Sequence, residues 1–303
     1  MRLLALLMAL WAAPVAAWDR MLRSDCQVAF EAFAGLMGGF SDLELGQTLV
    51  GITVTADGWC DMKSGGPGME NARFDRLQWR AEEISRWTRD GIPPLALDLR
   101  LTGLDPDEIE GTAPTNRPPL TFEATLRQIP EAGQVIAERV ALFNEAGDSV
   151  SMSGVFERVF LSSQSMMQVS VGSVAFKAGV FVITFDGRTE NPFGVILDAE
   201  LRGQPDALRQ QAFDFVTRLP SGVVSNAARA ELTAFAGDLP GPEGTLEVLV
   251  NSERGLGIMQ IGMAAYADVA ALFADEDDSA YLEILLDGLT IDADWSPAEP
   301  IAD

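Results

Sequence analysis

The sequence predicts an α+β protein that is predominantly antiparallel β, with long, curved meander sheets covered by a few helices. Three observations carry that prediction. Most of the chain alternates apolar and polar residues with a period of two. Turn signals separate these runs at short intervals, as a meander requires. Helical spacing is confined to a few short stretches, so the βαβ alternation of a parallel sheet is missing.

Residues 1–17 read as a signal peptide. Arg2 supplies the positive end, and Leu3 to Ala13 form an apolar run of eleven residues before Pro14. Val15-Ala16-Ala17 then places small residues where cleavage before Trp18 needs them. Eleven apolar residues are too few to span a bilayer, and no later run reaches the roughly 18 required. The mature chain, residues 18–303, is therefore expected to be exported and periplasmic.

From Arg20, RMLRSDCQVAFEAFAGLMGG puts Leu22, Cys26, Phe30, Phe33 and Met37 at helical spacing, with Gly38-Gly39 as the stop. The pattern then changes. TLVGITVTADGWC predicts a first strand ending near Cys60. RLQWRAEEI sets Leu77, Trp79 and Ala81 on one face. LALDLRLTGL sets Leu95, Leu97, Leu99 and Leu101 inward, with Asp98 and Arg100 outward. The same grammar runs through PLTFEATLRQI, QVIAERVALFN, SVSMSGVFERVFL, MMQVSVGSVAFKAG and VFVITFDG. Glu145–Asp148, Lys177–Gly179 and Asp186-Gly187 read as the turns between them.

Beyond Gly203 the period lengthens. Pro205 and Asp206 suit a helix start, and Leu208, Ala212, Phe215, Val216 and Leu219 form its apolar face. Ser225 is placed to cap a second helix through Phe235, ended by Gly237 and Pro240. TLEVLVN, a turn at Ser252–Gly255, and LGIMQIGMA follow. A short helix near Ala267–Phe273 leads to the acidic turn Asp275–Asp278, and AYLEILLDGLTIDADW reads as the last strand. The order divides the chain into two halves, 18–203 (a helix and a β meander) and 204–303 (helices and β). The best loop segments are 111–119 and 237–244.

Export makes the two cysteines legible. In an oxidising compartment Cys26 and Cys60 predict a disulfide pinning the first helix to the first strands. Two thiols without a histidine cannot complete a zinc shell.

The absence of histidine also removes Ser-His-Asp and Cys-His nucleophile activation. No phosphate-cradling glycine loop follows a strand. Lys63 and Lys177, the only lysines, lie outside any S-x-x-K motif. Asp105–Glu108 and Asp275–Asp278 lack the D-x-D-x-D-G spacing of a calcium loop. The residues therefore nominate no catalytic group, metal ligand or cofactor. The formal net charge of −24 repels phosphate backbones and anionic headgroups, so nucleic acid is not an expected partner.

The stretch LDGLTIDADW resembles the D-G-x-D-x-D-x-E signature of the chitinase family of glycosidases. Asp287, Gly288, Leu289, Ile291 and Asp292 match, but Thr290 replaces an Asp and Asp294 the proton-donating Glu. In that family the motif sits on a middle barrel strand, whereas nine residues follow Asp294 here, which makes this a terminal strand with acids toward water. The phrases LTGLD and LDGLTIDADW, with the leader, are similar in texture to uncharacterised β-rich secreted envelope proteins of Gram-negative bacteria. More loosely, they resemble the AsmA-like lipid-handling proteins. That resemblance implies a non-enzymatic protein that binds or scaffolds lipidic, apolar or envelope components, and it carries over no site residue. Large apolar side chains on strands agree with it, among them Met166, Met167, Phe176, Phe181, Ile183 and Phe185. The alternatives are a glycan hydrolase using paired carboxylates and a structural partner-binding module.

Overall fold

A computed structural model describes residues 18–37, 51–64, 74–105, 117–186, 204–257 and 286–298. The leader, the glycine stop at 38–39, the helix near 267–273 and the acidic turn 275–278 lie outside the described residues.

Ten strands form one sheet in which every strand pairs antiparallel with the next in sequence. Helix α1 (Arg23–Met37) precedes β1 (Thr53–Val54), β2 (Cys60–Lys63) and β3 (Arg76–Glu82). A short α2 (Ser85–Asp90) leads to β4 (Ala96–Leu104) and β5 (Leu120–Ile129). Then come β6 (Gln134–Asn144), β7 (Ser149–Glu157), α3 (Gln164–Ser173) and β8 (Ala175–Phe185). Helices α4 (Pro205–Arg218) and α5 (Asn226–Asp238) precede β9 (Gly244–Gly257) and β10 (Leu289–Pro297). The α+β, β-dominated meander expected from two-residue alternation is the fold. The single sheet runs through both halves of the chain.

Several elements stand where local chemistry places them. Leu77, Trp79 and Ala81 are all buried on β3. Asn144 accepts the backbone N–H groups of Ala146, Gly147 and Asp148, closing the β6–β7 hairpin at the predicted turn. Ser225 caps α5 by accepting the Ala228 N–H at 3.0 Å.

Other expectations fail for tertiary reasons. Met21, not Leu22, enters the core under α1: Met21 is 2% exposed and Leu22 62%. Residues 164–173, read as part of a strand carrying Met166 and Met167, form α3. Ser163 caps it at the Met166 N–H, and Ser170 bonds the backbone of Phe160, so local capping overrides alternation. Lys177–Gly179 is no turn, because β8 is paired on both sides. The register shifts around Lys177, whose Nζ donates to the Glu253 carbonyl. Ser252–Gly255 is likewise a bulge inside β9, opposite that shift, rather than a reversal. Of TLVGITVTADGWC, the described residues from Gly51 hold the two-residue β1 and, at Cys60, the start of β2, and the last strand starts at Leu289 after the turn 286–288. Helix α2 was not foreseen, since six residues are too few to show a helical period.

Cys26 and Cys60 form the expected disulfide, with Cα atoms 5.5 Å apart, joining α1 to β2. They belong to one buried cluster with Phe30, Ile52, Met62 and Trp79. The segment that leads into α1 is tied down on the other side of the sheet. Arg80 on β3 lies between the indoles of Trp18 and Trp59, 4.4 Å from each ring centroid, and donates to Asp98 through Nε and Nη2. Asp19 adds two bonds, its N–H to the Ala81 carbonyl and its carboxylate to the Ile84 N–H. Replacing Arg80 by Ala should therefore cost about 1–3 kcal/mol, through the lost stacking and an Asp98 carboxylate left with the Thr125 hydroxyl but without its cation. Arg80→Lys should recover less than half of that, because an ammonium neither stacks flat nor donates in parallel. Urea midpoints of the three proteins decide this; equal midpoints would exclude it.

Candidate apolar binding face

The pairing register sorts side chains onto two faces. On one face Leu77, Trp79 and Ala81 stand beside Leu101, Leu99 and Leu97, which stand beside Phe122, Ala124 and Leu126. The row continues through Val140 and Leu142 to Val150 and Met152, then Phe181 and Ile183. It ends on Leu246, Val248 and Val250 beside Trp295, Ala293 and Ile291. One face is thus apolar from β3 to β10 because each strand keeps the period and each bulge restores the parity.

The opposite face is a lattice of cross-strand ion pairs. Arg76 pairs with Asp61, Arg80 with Asp98, and Arg100 with Glu123. Arg127 bridges Glu82 and Glu138 at 2.9 and 2.8 Å. Burial lowers the Arg127 pKa, but the hydrogen bonds it donates to Glu138 and Glu82 outweigh that and leave the guanidinium above its ordinary value. On β10, Thr290, Asp292 and Asp294 are exposed while Leu289 and Trp295 are buried, so the terminal acids do face water.

Helices cover the apolar face at its ends. Phe30 of α1 meets Trp79 with ring centroids 5.9 Å apart. At the other end Phe235 of α5 packs on both Phe185 and Trp295, at 6.2 and 5.1 Å. The Trp295 indole N–H donates to Asp238 at 2.8 Å, fixing α5 over β10. Between these ends, Phe122, Leu126, Leu142, Val150, Met152 and Phe181 are only half-buried. Phe176 differs, at 7% exposure. Its ring lies over the opposed glycines Gly154 and Gly179, where a Cβ on Gly179 would come within 3.0 Å of the ring and 2.7 Å of the Ser153 carbonyl. Phe156 and Phe181 flank it at 5.7 and 6.3 Å.

Where α1 and α2 overhang the sheet, a small cavity of about 30 Å³ remains, partly open on one side. Ala29 and Phe30 of α1, Trp87 of α2, Leu77 and Trp79 of β3, and Leu97 and Leu99 of β4 line it. It is therefore continuous with the apolar face at β4.

The described acids among those singled out in the sequence do not converge. Asp287, in the turn before β10, pairs with Arg254 of β9 at 2.8 Å. Asp61 and Asp148 are the buried carboxylates among the described residues. Asp61 is held by Arg76, and Asp148 accepts from the Asn144 amide and the Asp186 N–H, both at 2.9 Å. Among the described residues no three Cys, Asp or Glu side chains are grouped to hold a metal ion. Alternation in the sequence points to the apolar face, but not to which parts of it the described helices cover. Compared with known proteins, the chain matches no family model, no curated protein and no solved structure.

Proposed function

We propose that this is an exported, periplasmic, non-enzymatic protein that binds lipidic or other apolar envelope components on the middle of its apolar sheet face. The observation that carries the reading is the half-buried row Phe122, Leu126, Leu142, Val150, Met152 and Phe181, lying between two helix-covered ends. A contiguous apolar surface of this kind is costly to leave against water and marks an interaction site. The disulfide suits an oxidising compartment, and among the described residues no helix is long and apolar enough to cross a membrane. The lipid-handling texture noted in LTGLD and LDGLTIDADW agrees with the same reading. A carboxylate-pair hydrolase has less support, since the acids of the ion-pair face are held by arginines.

The test is export of the full chain in a Gram-negative host, followed by organic extraction of the purified protein and mass spectrometry. The mature chain is expected to begin at Trp18 and to carry lipid. Met152→Glu, a charge on the half-buried row, is expected to reduce the lipid content at least about tenfold, because an unpaired carboxylate cannot be desolvated against an alkyl chain. Lipid-free wild-type protein, or equal lipid in the two proteins, would remove the proposal.

A further inference from the structure

We infer that the ligand is a lipid without net negative charge on its head, whose alkyl chain lies across β4–β8 and ends, terminal carbons first, in the cavity between α1, α2 and the sheet. This rests on the reading of the apolar face as a lipid site and adds the orientation and class of the ligand.

The cavity has room for one or two waters, about 30 Å³, but its lining residues are all apolar. A water there would lack the two to four polar partners it needs, so the space takes an apolar group or stays dry. Its size is far below that of cavities that admit a benzene ring, which favours a slender chain end over a ring or branched tail. Leu97 and Leu99 belong both to the cavity wall and to the apolar row, pairing with Leu126 and Ala124 on β5. A chain lying on the row therefore reaches the cavity without crossing a polar group. The head is selected by charge. A protein of net charge −24 with two lysines repels an anionic headgroup and tolerates a neutral or zwitterionic one.

Tryptophan reports the geometry directly. Trp79 and Trp87 line the cavity, whereas Trp18 and Trp59 stack on Arg80 on the ion-pair face and Trp295 lies against Phe235 of α5. The experiment uses monomeric lysophosphatidylcholine brominated either at the chain end or beside the head, with binding measured independently by equilibrium dialysis. Chain-end bromine is expected to quench fluorescence more than head-side bromine, and the difference is expected to vanish in the double variant Trp79→Phe, Trp87→Phe. Ala29→Val, which narrows the cavity, is expected to weaken binding about tenfold without lowering the melting temperature. Binding with equal quenching from both bromine positions, or unchanged affinity in Ala29→Val, would overturn the chain-end placement and leave lipid binding standing. No binding by dialysis would overturn both. Should Ala29→Val fail to fold, the wild-type quenching pattern decides alone.

Discussion

Replacing Cys26 and Cys60 together by alanine is expected to lower the unfolding free energy by roughly 3–4 kcal/mol in the chain-entropy model. The two cysteines are 34 positions apart, so oxidation removes a sizeable loop from the unfolded ensemble. The native state adds a second cost. Both side chains are 0% exposed and sit against Phe30, Met62 and Trp79, so two alanines leave a small void there. The loss should concentrate in α1 and β1–β3, because the bond is the covalent tie between the helix and that end of the sheet. Hydrogen exchange should show α1 opening first, while β5–β8 retain protection. A urea midpoint equal to that of the oxidised protein would contradict the expectation.

Phe176→Ala is expected to cost about 3–5 kcal/mol, the range for truncating a buried aromatic. Its ring fills the depression above Gly154 and Gly179 and contacts Phe156 and Phe181, so truncation exposes a strip of bare backbone in mid-sheet. The reverse change tests the same geometry. In Gly179→Ala the new methyl meets the ring and the Ser153 carbonyl, both at 3.0 Å or less, which should cost about 1–3 kcal/mol through displacement of Phe176. In the double variant, Phe176→Ala with Gly179→Ala, the two losses should be less than additive, because the part of the clash that falls on the ring is gone and only that with the Ser153 carbonyl remains. Strict additivity in urea unfolding would show that the ring and the glycines act independently.

Neighbouring residues were enough to specify much of this protein. The alternation of Leu77, Trp79 and Ala81, the Asn144 turn, the Ser225 cap and the pairing of Cys26 with Cys60 are all legible because each depends on a few side chains acting on their own backbone or on a single partner. The candidate site was legible only as an inventory of apolar residues, and part of that inventory was misplaced: Met166 lies on α3, outside the sheet.

Pairing decided the rest. Lys177–Gly179 and Ser252–Gly255 carry turn residues, yet neither reverses the chain, because β8 and β9 have partners on both flanks whose hydrogen bonds outweigh a local preference. The surplus residues become bulges instead. Those bulges keep Phe176 and Leu256 on the same side as Phe181 and Val250, since an extra residue offsets the change of face that a one-residue slip would cause. Which ends of the apolar row the described helices cover depends on where α1 and α5 come to rest. That is set by contacts between residues far apart in the chain, Phe30 with Trp79 and Phe235 with Phe185 and Trp295, and no local pattern encodes it.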